Sequence, residues 1–212
     1  MKTFNKTLIA AALLTTGAAA QADVSGSIGI ASSYLFRGFD LSDGSAAVSG
    51  SLDYAHDSGL YAGVWGSSGD DSYGTEYDLY AGFAGELSGF GYDIGYIDYN
   101  YPSNDDTNAN GDTDFEEWYI GASYDAFGAY IYDGIDADYT YLNLSVSYGD
   151  FTLAYGDFIS GDDFEGSHVD LTYALGDLAF TVSKASGESY ETAGFSGEET
   201  QFVVSYSLPI DL

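Results

Sequence analysis

The segment EYDLYAGFAGEL, residues 76–87, decides the fold that this sequence predicts. Successive side chains of a β-strand point to opposite faces, so a strict two-residue alternation predicts a half-buried strand. Here one face is apolar and the other carries the acids. The apolar face holds Tyr77, Leu79, Ala81, Phe83 and Leu87, and the polar face holds Glu76, Asp78 and Glu86.

The same period recurs along the chain and predicts twelve strands with essentially no helix. Five of the connections are tight turns, and six are longer and acidic. An even number of strands, with short turns at one end and long loops at the other, is typical of an antiparallel transmembrane β-barrel of the outer membrane. The predicted strands are residues 24–36, 46–54, 60–66, 76–87, 90–101, 115–124, 127–132, 139–148, 151–157, 167–175, 178–184 and 200–208, and the tight turns are residues 56–59, 88–89, 125–126, 149–150 and 176–177.

The two predicted faces differ in the way that lipid and water require. A Lys or Arg facing the bilayer midplane costs about 2–4 kcal/mol, and the acids keep to the polar face. That face is rich in Ser, Gly, Ala, Thr and Asp, which favours an open lumen, whereas an inward-folded loop at residues 102–114 would plug it. A soluble sandwich or barrel is the alternative fold. The aromatic girdles of the apolar face are expected to contain Tyr34, Tyr54, Tyr77, Trp118, Tyr124, Tyr148, Tyr173 and Tyr206.

The alternation is irregular at two places. Tyr96 and Ile97 switch parity, which predicts either a β-bulge or an extension of the strand beyond the membrane. The last strand alternates up to Leu212 and resembles the assembly signal of outer-membrane barrels, although it ends without an aromatic residue. Pro209 removes a ladder donor there, which predicts a weaker closing strand pair.

Composition excludes several classes of function. The chain has 212 residues, a formal net charge of −30 and no cysteine. Its 34 acids against four bases would repel a polyphosphate, so nucleic-acid binding is excluded. Without cysteine there is no disulfide, thiolate metal site or thiol nucleophile. An aromatic content of 17% is too high for a disordered acidic chain.

Residues 1–22 read as a cleaved secretory signal peptide. Lys2 and Lys6 precede an apolar run at residues 8–20, and residues 20–22 form a small-x-small cleavage site. The remaining residues, 23–212, are predicted to be one transmembrane barrel domain in the outer membrane of a Gram-negative cell. Only Arg37 and Lys184 are basic in that domain.

Several segments resemble the TorF-type porin family of proteobacteria. They are SSYLFRGF at residues 32–39, GSLDY at 50–54, SGLYAGVWGS at 58–67, and the shorter matches at 77–82, 95–96 and 99–102. The resemblance is dense over residues 24–102 and looser beyond. It implies an outer-membrane barrel that acts as a porin, and it transfers no catalytic residues.

The predicted lumen contains one base among several acids. Arg37 has lumen-facing parity, and an internal salt bridge is its first predicted role, with a part in ion selectivity second. Dominance of acids over bases predicts a preference for cations over anions. The residues proposed to line the lumen and set selectivity are Arg37, Asp53, Glu76, Asp78 and Glu117.

Residues 106–117 match the twelve-residue calcium-loop pattern, with oxygen ligands at positions 1, 3, 5, 9 and 12 and a glycine at position 6. Flanking helices are not predicted, and an acidic Asp/Asn/Gly-rich loop matches this pattern by chance. A solvated loop is therefore the preferred interpretation, and no cofactor or metal is predicted.

An enzymatic interpretation needs a catalytic constellation, and the chain has only two histidines. His56 lies in a tight turn. His168 lies beside Ser167, Asp163 and Asp170, which could resemble a catalytic triad. Such neighbours are expected in an acidic, serine-rich sequence, so the chain is not predicted to be an enzyme.

The sequence therefore predicts a porin-like channel for passive diffusion of small hydrophilic solutes or cations. The alternative is a non-conducting structural or adhesive barrel that acts through its acidic loops. The expected partners are outer-membrane lipid and lipopolysaccharide, the permeating solutes, and the barrel-assembly machinery through the C-terminal strand at residues 200–208.

Overall fold

A computed structural model describes residues 23–69, 74–102, 114–135, 137–192 and 200–212. Twelve antiparallel strands close into one barrel, in which each strand pairs with its neighbours along the chain and β1 pairs with β14. The barrel strands are β1 (Asp23–Ala31), β4 (Ala47–Ala55), β5 (Leu60–Ser67), β6 (Glu76–Leu87), β7 (Phe90–Asn100), β8 (Phe115–Tyr124), β9 (Phe127–Gly134), β10 (Thr140–Tyr148), β11 (Phe151–Ser160), β12 (Gly166–Leu175), β13 (Leu178–Ser186) and β14 (Thr200–Asp211). The remaining elements are the short hairpin β2 (Leu35–Phe36) and β3 (Phe39–Asp40) and the helix α1 (Glu188–Thr192). None of the described residues belongs to a helix long and apolar enough to cross a membrane.

The predicted fold class is confirmed, and the five predicted tight turns join the strands as expected. Positive φ angles occur where the turn residues predict them, at Ser88 and Gly89 (55° and 84°) and at Gly149 and Gly176 (61° and 62°). Two-residue hairpin turns with positive φ match the right-handed twist of the strands they join. These turns therefore fix the register of their strand pairs.

The closing strand pair differs from its prediction at Pro209, which lies opposite Ser27 of β1. The Val204 carbonyl of β14 accepts a hydrogen bond from the Ser32 N–H, which lies on the side of β1. The Ser207 N–H of β14 donates to the Asp177 carbonyl, which lies on the opposite side, next to β13. Backbone groups two residues apart in a strand point the same way, so the donor that Pro209 lacks would face away from β1. The predicted weakening of the seam is therefore wrong.

The outer face of the barrel is an apolar band. Ile94, Ile120 and Ile131 lie side by side on β7, β8 and β9, and Ile120 is 58% exposed. Further exposed apolar side chains continue the band around the barrel, among them Ile28, Leu52, Leu79, Leu144, Leu153, Leu171 and Val182. A closed sheet with an apolar exterior and a polar interior is the arrangement of outer-membrane-type barrels.

The parity switch at Tyr96 and Ile97 is not a bulge, because β7 pairs with β6 and β8 without a register shift. Ile97 points into the lumen and is buried. Asp98 keeps the outward parity and lies beside Glu116 of β8 on the same face. Two neighbouring outward acids mark the end of the apolar band, so the strand extends beyond it.

The first strand is shorter than predicted. It ends at Ala31, and the chain then turns inward so that Tyr34 is buried instead of joining an outer girdle. The Tyr34 N–H donates to Ser42 Oγ at 2.7 Å, and its ring packs against Trp65. Of the seven other predicted girdle residues, Tyr173 is half-buried and six are exposed: Tyr54, Tyr77, Trp118, Tyr124, Tyr148 and Tyr206.

The apolar band predicts where a charge is tolerated. We expect Ile120→Arg to destabilise the folded barrel by about 2–4 kcal/mol, because the charge would face the bilayer midplane. The matched control is Glu116→Arg on the same strand and face but beyond the band, with an expected cost of about 0–1 kcal/mol. Equilibrium urea unfolding in lipid vesicles measures both, and equal costs would contradict the assigned lipid face.

Candidate functional site

One wall of the lumen is built from tyrosines that lie over glycines. In β5 to β9 each of these tyrosines faces a glycine directly opposite on the neighbouring strand, and a Cβ at that glycine would collide with the ring. The rings therefore lie flat along the wall, where a larger residue would push them into the lumen. The pairs are Tyr80 over Gly63, Tyr61 over Gly82, Tyr119 over Gly95 and Tyr130 over Gly121.

The hydroxyls of this tyrosine wall hold two lumen carboxylates. Tyr61 donates to Asp93 at 2.7 Å and also contacts the Tyr119 hydroxyl. Tyr80 donates to Asp53. The wall is thus a network of phenols and carboxylates near the tight-turn end of the barrel, where sequence analysis predicted small residues and open space.

A hairpin formed by β2 and β3 folds into the other end of the lumen. Its tip is Arg37 and Gly38, whose φ angles of 49° and 84° are both positive. A two-residue turn with two positive φ angles is the type I′ turn that joins strands of native twist. Arginine is an unusual residue for a backbone with positive φ. The contacts of its side chain therefore have to compensate for the backbone strain. We call residues 35–40 the plug hairpin.

The plug hairpin is anchored by a buried ion pair. Both terminal nitrogens of Arg37 donate to Glu117 of β8, each at 2.7 Å, and the two side chains are 4% and 0% exposed. Tyr99 and Tyr139 also donate to Glu117, at 3.0 and 2.7 Å. The carboxylate therefore has four donors, which compensate its removal from water.

Aromatic rings complete the Arg37 environment. Its guanidinium lies 4.7 Å from the ring centre of Tyr132 and 4.3 Å from that of Tyr141. Ring faces attract cations, and the attraction is stronger where water is excluded. The tip of the plug hairpin is thus held by charge, hydrogen bonds and ring faces together.

Two more side chains hold the backbone of the plug hairpin. Tyr190 of α1 donates to the Arg37 carbonyl at 2.7 Å, and Gln201 of β14 donates to the Gly38 carbonyl at 3.0 Å. Burial raises the pKa of the Tyr190 hydroxyl, so this group keeps its proton. A Cβ at Gly38 would lie only 2.8 Å from the Cβ of His168, so only glycine fits at the tip.

A second acidic cluster lies beside the plug hairpin. Glu76 and Asp78 are successive lumen-facing residues of β6, exposed by 1% and 6%. Tyr101 donates to Glu76 at 2.8 Å. One oxygen of each acid, Glu76 Oε2 and Asp78 Oδ1, has no hydrogen-bond partner among the described residues. Glu76 and Asp78 are thus nearly as buried as Glu117, which is 0% exposed.

The structure places all five predicted lumen residues inside the barrel. Arg37 and Glu117 form one contact, Glu76 and Asp78 a second cluster, and Asp53 lies with the tyrosine wall. Sequence analysis missed Asp93 and the lumen tyrosines. Their signal was parity, because they alternate with exposed apolar residues and face glycines on adjacent strands.

Most of the calcium-loop match, residues 106–113, lies outside the described residues. Glu117, the twelfth position of the pattern, is described, and its carboxylate is bound by Arg37 and two tyrosines. Asp114, the ninth position, accepts a hydrogen bond from the Tyr101 N–H at 2.7 Å. No group of three or more His, Asp or Glu residues suited to a metal ion occurs in the described ranges.

The structure brings together only part of the possible catalytic triad. His168 points into the lumen, with Nδ1 3.2 Å from Asp170 Oδ2 and Nε2 2.6 Å from the Tyr141 hydroxyl. Ser167 has the opposite parity, and Asp163 accepts a hydrogen bond from the Asp138 N–H instead. His168 therefore contacts a tyrosine and an aspartate, and neither Ser167 nor Asp163 joins them.

The model of the Gcw_chp family, described as bacterial proteins of unknown function, matches residues 15–194. The chain belongs to the Gcw_chp family. No curated protein matches the sequence.

Solved structures that resemble this Gcw_chp barrel include outer-membrane phospholipases. The calcium-bound phospholipase dimer of Salmonella typhi has 13% identity and a TM-score of 0.49, covering 88% of this chain and 90% of that one. Outer membrane phospholipase A of Escherichia coli has 14% identity and a TM-score of 0.47, covering 89% and 90%. Likeness at this level carries no argument about activity.

The buried ion pair predicts a large loss of stability when one partner is neutralised. We expect Glu117→Gln to destabilise the folded state by about 3–5 kcal/mol, because Arg37 would keep a buried charge without its counterion. The double variant Arg37→Met with Glu117→Gln should recover part of this loss. Urea unfolding in vesicles measures all three proteins, and a single variant as stable as the double variant would contradict the pair.

Proposed function

We propose that this Gcw_chp protein is an outer-membrane channel for the passive diffusion of small hydrophilic solutes, with a preference for cations. The observation that carries the proposal is a closed barrel with an apolar exterior and acids on the inner face. The resemblance to TorF-type porins agrees with it. Export through a signal peptide at residues 1–22 completes the proposal.

The charges of the described lumen support the cation preference. Its acids include Asp53, Glu76, Asp78, Asp93 and Glu117, whereas Arg37 is already paired with Glu117. In a narrow low-dielectric passage, an excess of one sign of charge attracts the opposite ion. The lumen therefore favours cations, and Glu76 and Asp78 belong to the acids that Arg37 does not bind.

The plug hairpin argues against a permanently wide pore. It fills one end of the lumen, and the tyrosine wall narrows the other. Twelve strands give a barrel between the filled eight-stranded size and the water-filled porins of 16–18 strands. We therefore expect a small conductance, which increases when the plug hairpin is displaced from the lumen.

A non-conducting barrel that acts through its acidic loops is the second candidate. The buried Arg37–Glu117 pair and the tyrosine wall favour it, because both stabilise a filled lumen. The two candidates differ in whether ions cross the folded protein.

Planar-bilayer recording of residues 23–212, refolded in detergent, distinguishes the two. The channel proposal expects discrete conductance steps and a reversal potential, under a KCl gradient, on the cation-selective side. Heat-modifiable gel migration verifies folding of the same sample. A folded barrel without steps would favour the structural or adhesive candidate, and chloride-selective steps would contradict the role of the lumen acids.

The lumen acids predict a selectivity change. We expect the double variant Glu76→Gln with Asp78→Asn to lower the cation-to-anion permeability ratio by about twofold or more, because it removes two carboxyl groups from the lumen face of β6. Asp98→Asn is the control, since this acid has outward parity on β7. Reversal potentials measure the ratio, and equal changes in both proteins would contradict a lumen origin.

The plug hairpin predicts a gating change. Gly38→Ala should increase open probability at least severalfold, because the added Cβ would meet His168 and unseat the tip. Gly44→Ala is a matched control: it lies in the same loop with a similar φ of 72° but has nothing within 4 Å of the added Cβ. Single-channel recording compares the two, and an equal effect would assign the change to backbone strain alone.

A further inference from the structure

A patch of four polar side chains lies on the lumen face of β12, β13 and β14, beneath the plug hairpin. Asp170, Ser183 and Gln201 are direct partners in one row across the three strands. Directly opposed residues of antiparallel strands have Cβ atoms about 4.5–5.5 Å apart. His168 precedes Asp170 by two residues and shares its face. The small Ser183 at the centre lets the longer side chains converge over it.

Each of these side chains presents a buried polar atom without a hydrogen-bond partner in the described parts of the chain. The four atoms are His168 Nδ1, Asp170 Oδ1, Ser183 Oγ and Gln201 Oε1. His168 and Ser183 are exposed by only 3% and 1%. Buried polar groups are nearly always paired in folded proteins, so four adjacent exceptions point to a bound group.

The contacts of His168 hold one ring nitrogen and leave the other without a hydrogen-bond partner among the described residues. Its Nε2 is 2.6 Å from the Tyr141 hydroxyl, and Gly156 leaves the room for this contact, because a Cβ there would overlap both partners. A histidine that binds a metal through one ring nitrogen usually has the other fixed by a hydrogen bond. Nδ1 faces Asp170 Oδ2 at 3.2 Å but is not aligned for a hydrogen bond with it.

Gln201 is oriented in a similar way. Its side-chain nitrogen donates to the Gly38 carbonyl at 3.0 Å, which leaves its oxygen without a partner among the described residues. The donors that face the patch are thus an imidazole nitrogen, a carboxylate, an amide oxygen and a hydroxyl. Three of these are oxygens that accept, so the patch attracts a cation.

We propose that this patch binds one divalent transition-metal ion of the zinc class. Imidazole with carboxylate and neutral oxygens is a donor set that such ions accept, whereas calcium and magnesium prefer oxygen alone. The set contains only two residues of the usual ligand types, so it binds more weakly than a three-histidine site. Because Gln201 joins the patch to Gly38, metal binding also stabilises the seated plug hairpin.

Cobalt is the probe, because its visible absorption reports the ligands. The full barrel is refolded with and without CoCl₂, and folding is verified by heat-modifiable gel migration. We expect saturable binding of one equivalent, displacement by Zn²⁺, and at least about tenfold weaker binding in Asp170→Asn. Asp93→Asn is the control, since this lumen acid is already bound by Tyr61 and Tyr130, and it should bind cobalt as the unchanged protein does.

A folded barrel without saturable cobalt binding would overturn the proposal and assign the four atoms to water. Equal affinity in Asp170→Asn and the unchanged protein would also overturn it. Ser183→Ala supplies a second test that keeps the fold, with an expected severalfold loss of affinity. None of these results depends on conductance, so the metal site and the channel are tested separately.

Discussion

Closure of the sheet is the constraint on which this structure depends. Inside a bilayer no water can satisfy a free strand edge, so every backbone donor and acceptor needs a partner in the protein. The pairing of β1 with β14 supplies that closure, and Pro209 is tolerated there because its missing donor faces away from β1. Once the sheet is closed, alternation assigns each side chain either to lipid or to the lumen.

The lumen is filled by a repeated local arrangement. A ring can lie flat against the wall only where the opposite residue has no side chain, and glycines occupy those positions. The abundance of glycine and tyrosine, 28 and 21 residues, is thus a packing requirement as well as a membrane signature. The wall carries hydroxyls that satisfy buried carboxylates such as Asp93, so an acidic interior becomes compatible with a compact one.

Sequence alone predicted the fold because a two-residue period and turn chemistry are local signals, as residues 76–89 illustrate. It also assigned Arg37 and Glu117 to the lumen, and an internal salt bridge to Arg37. It did not predict the plug hairpin, because the inward turn after Ala31 depends on Glu117, Tyr190 and Gln201, which are distant along the chain. The patch around His168 was missed for the same reason, since Asp170, Ser183 and Gln201 meet only through strand pairing.

The contacts of the plug hairpin also order the assembly of the chain. The Arg37 side chain binds Glu117, which lies 80 residues later in the chain. The Arg37 carbonyl accepts from Tyr190, 153 residues later, and the Gly38 carbonyl accepts from Gln201, 163 residues later. Contacts this distant form late, because the intervening chain must first be arranged. The plug hairpin, which precedes eleven of the twelve barrel strands, is therefore among the last segments to reach its final place, and its docking requires that β8, α1 and β14 are already arranged.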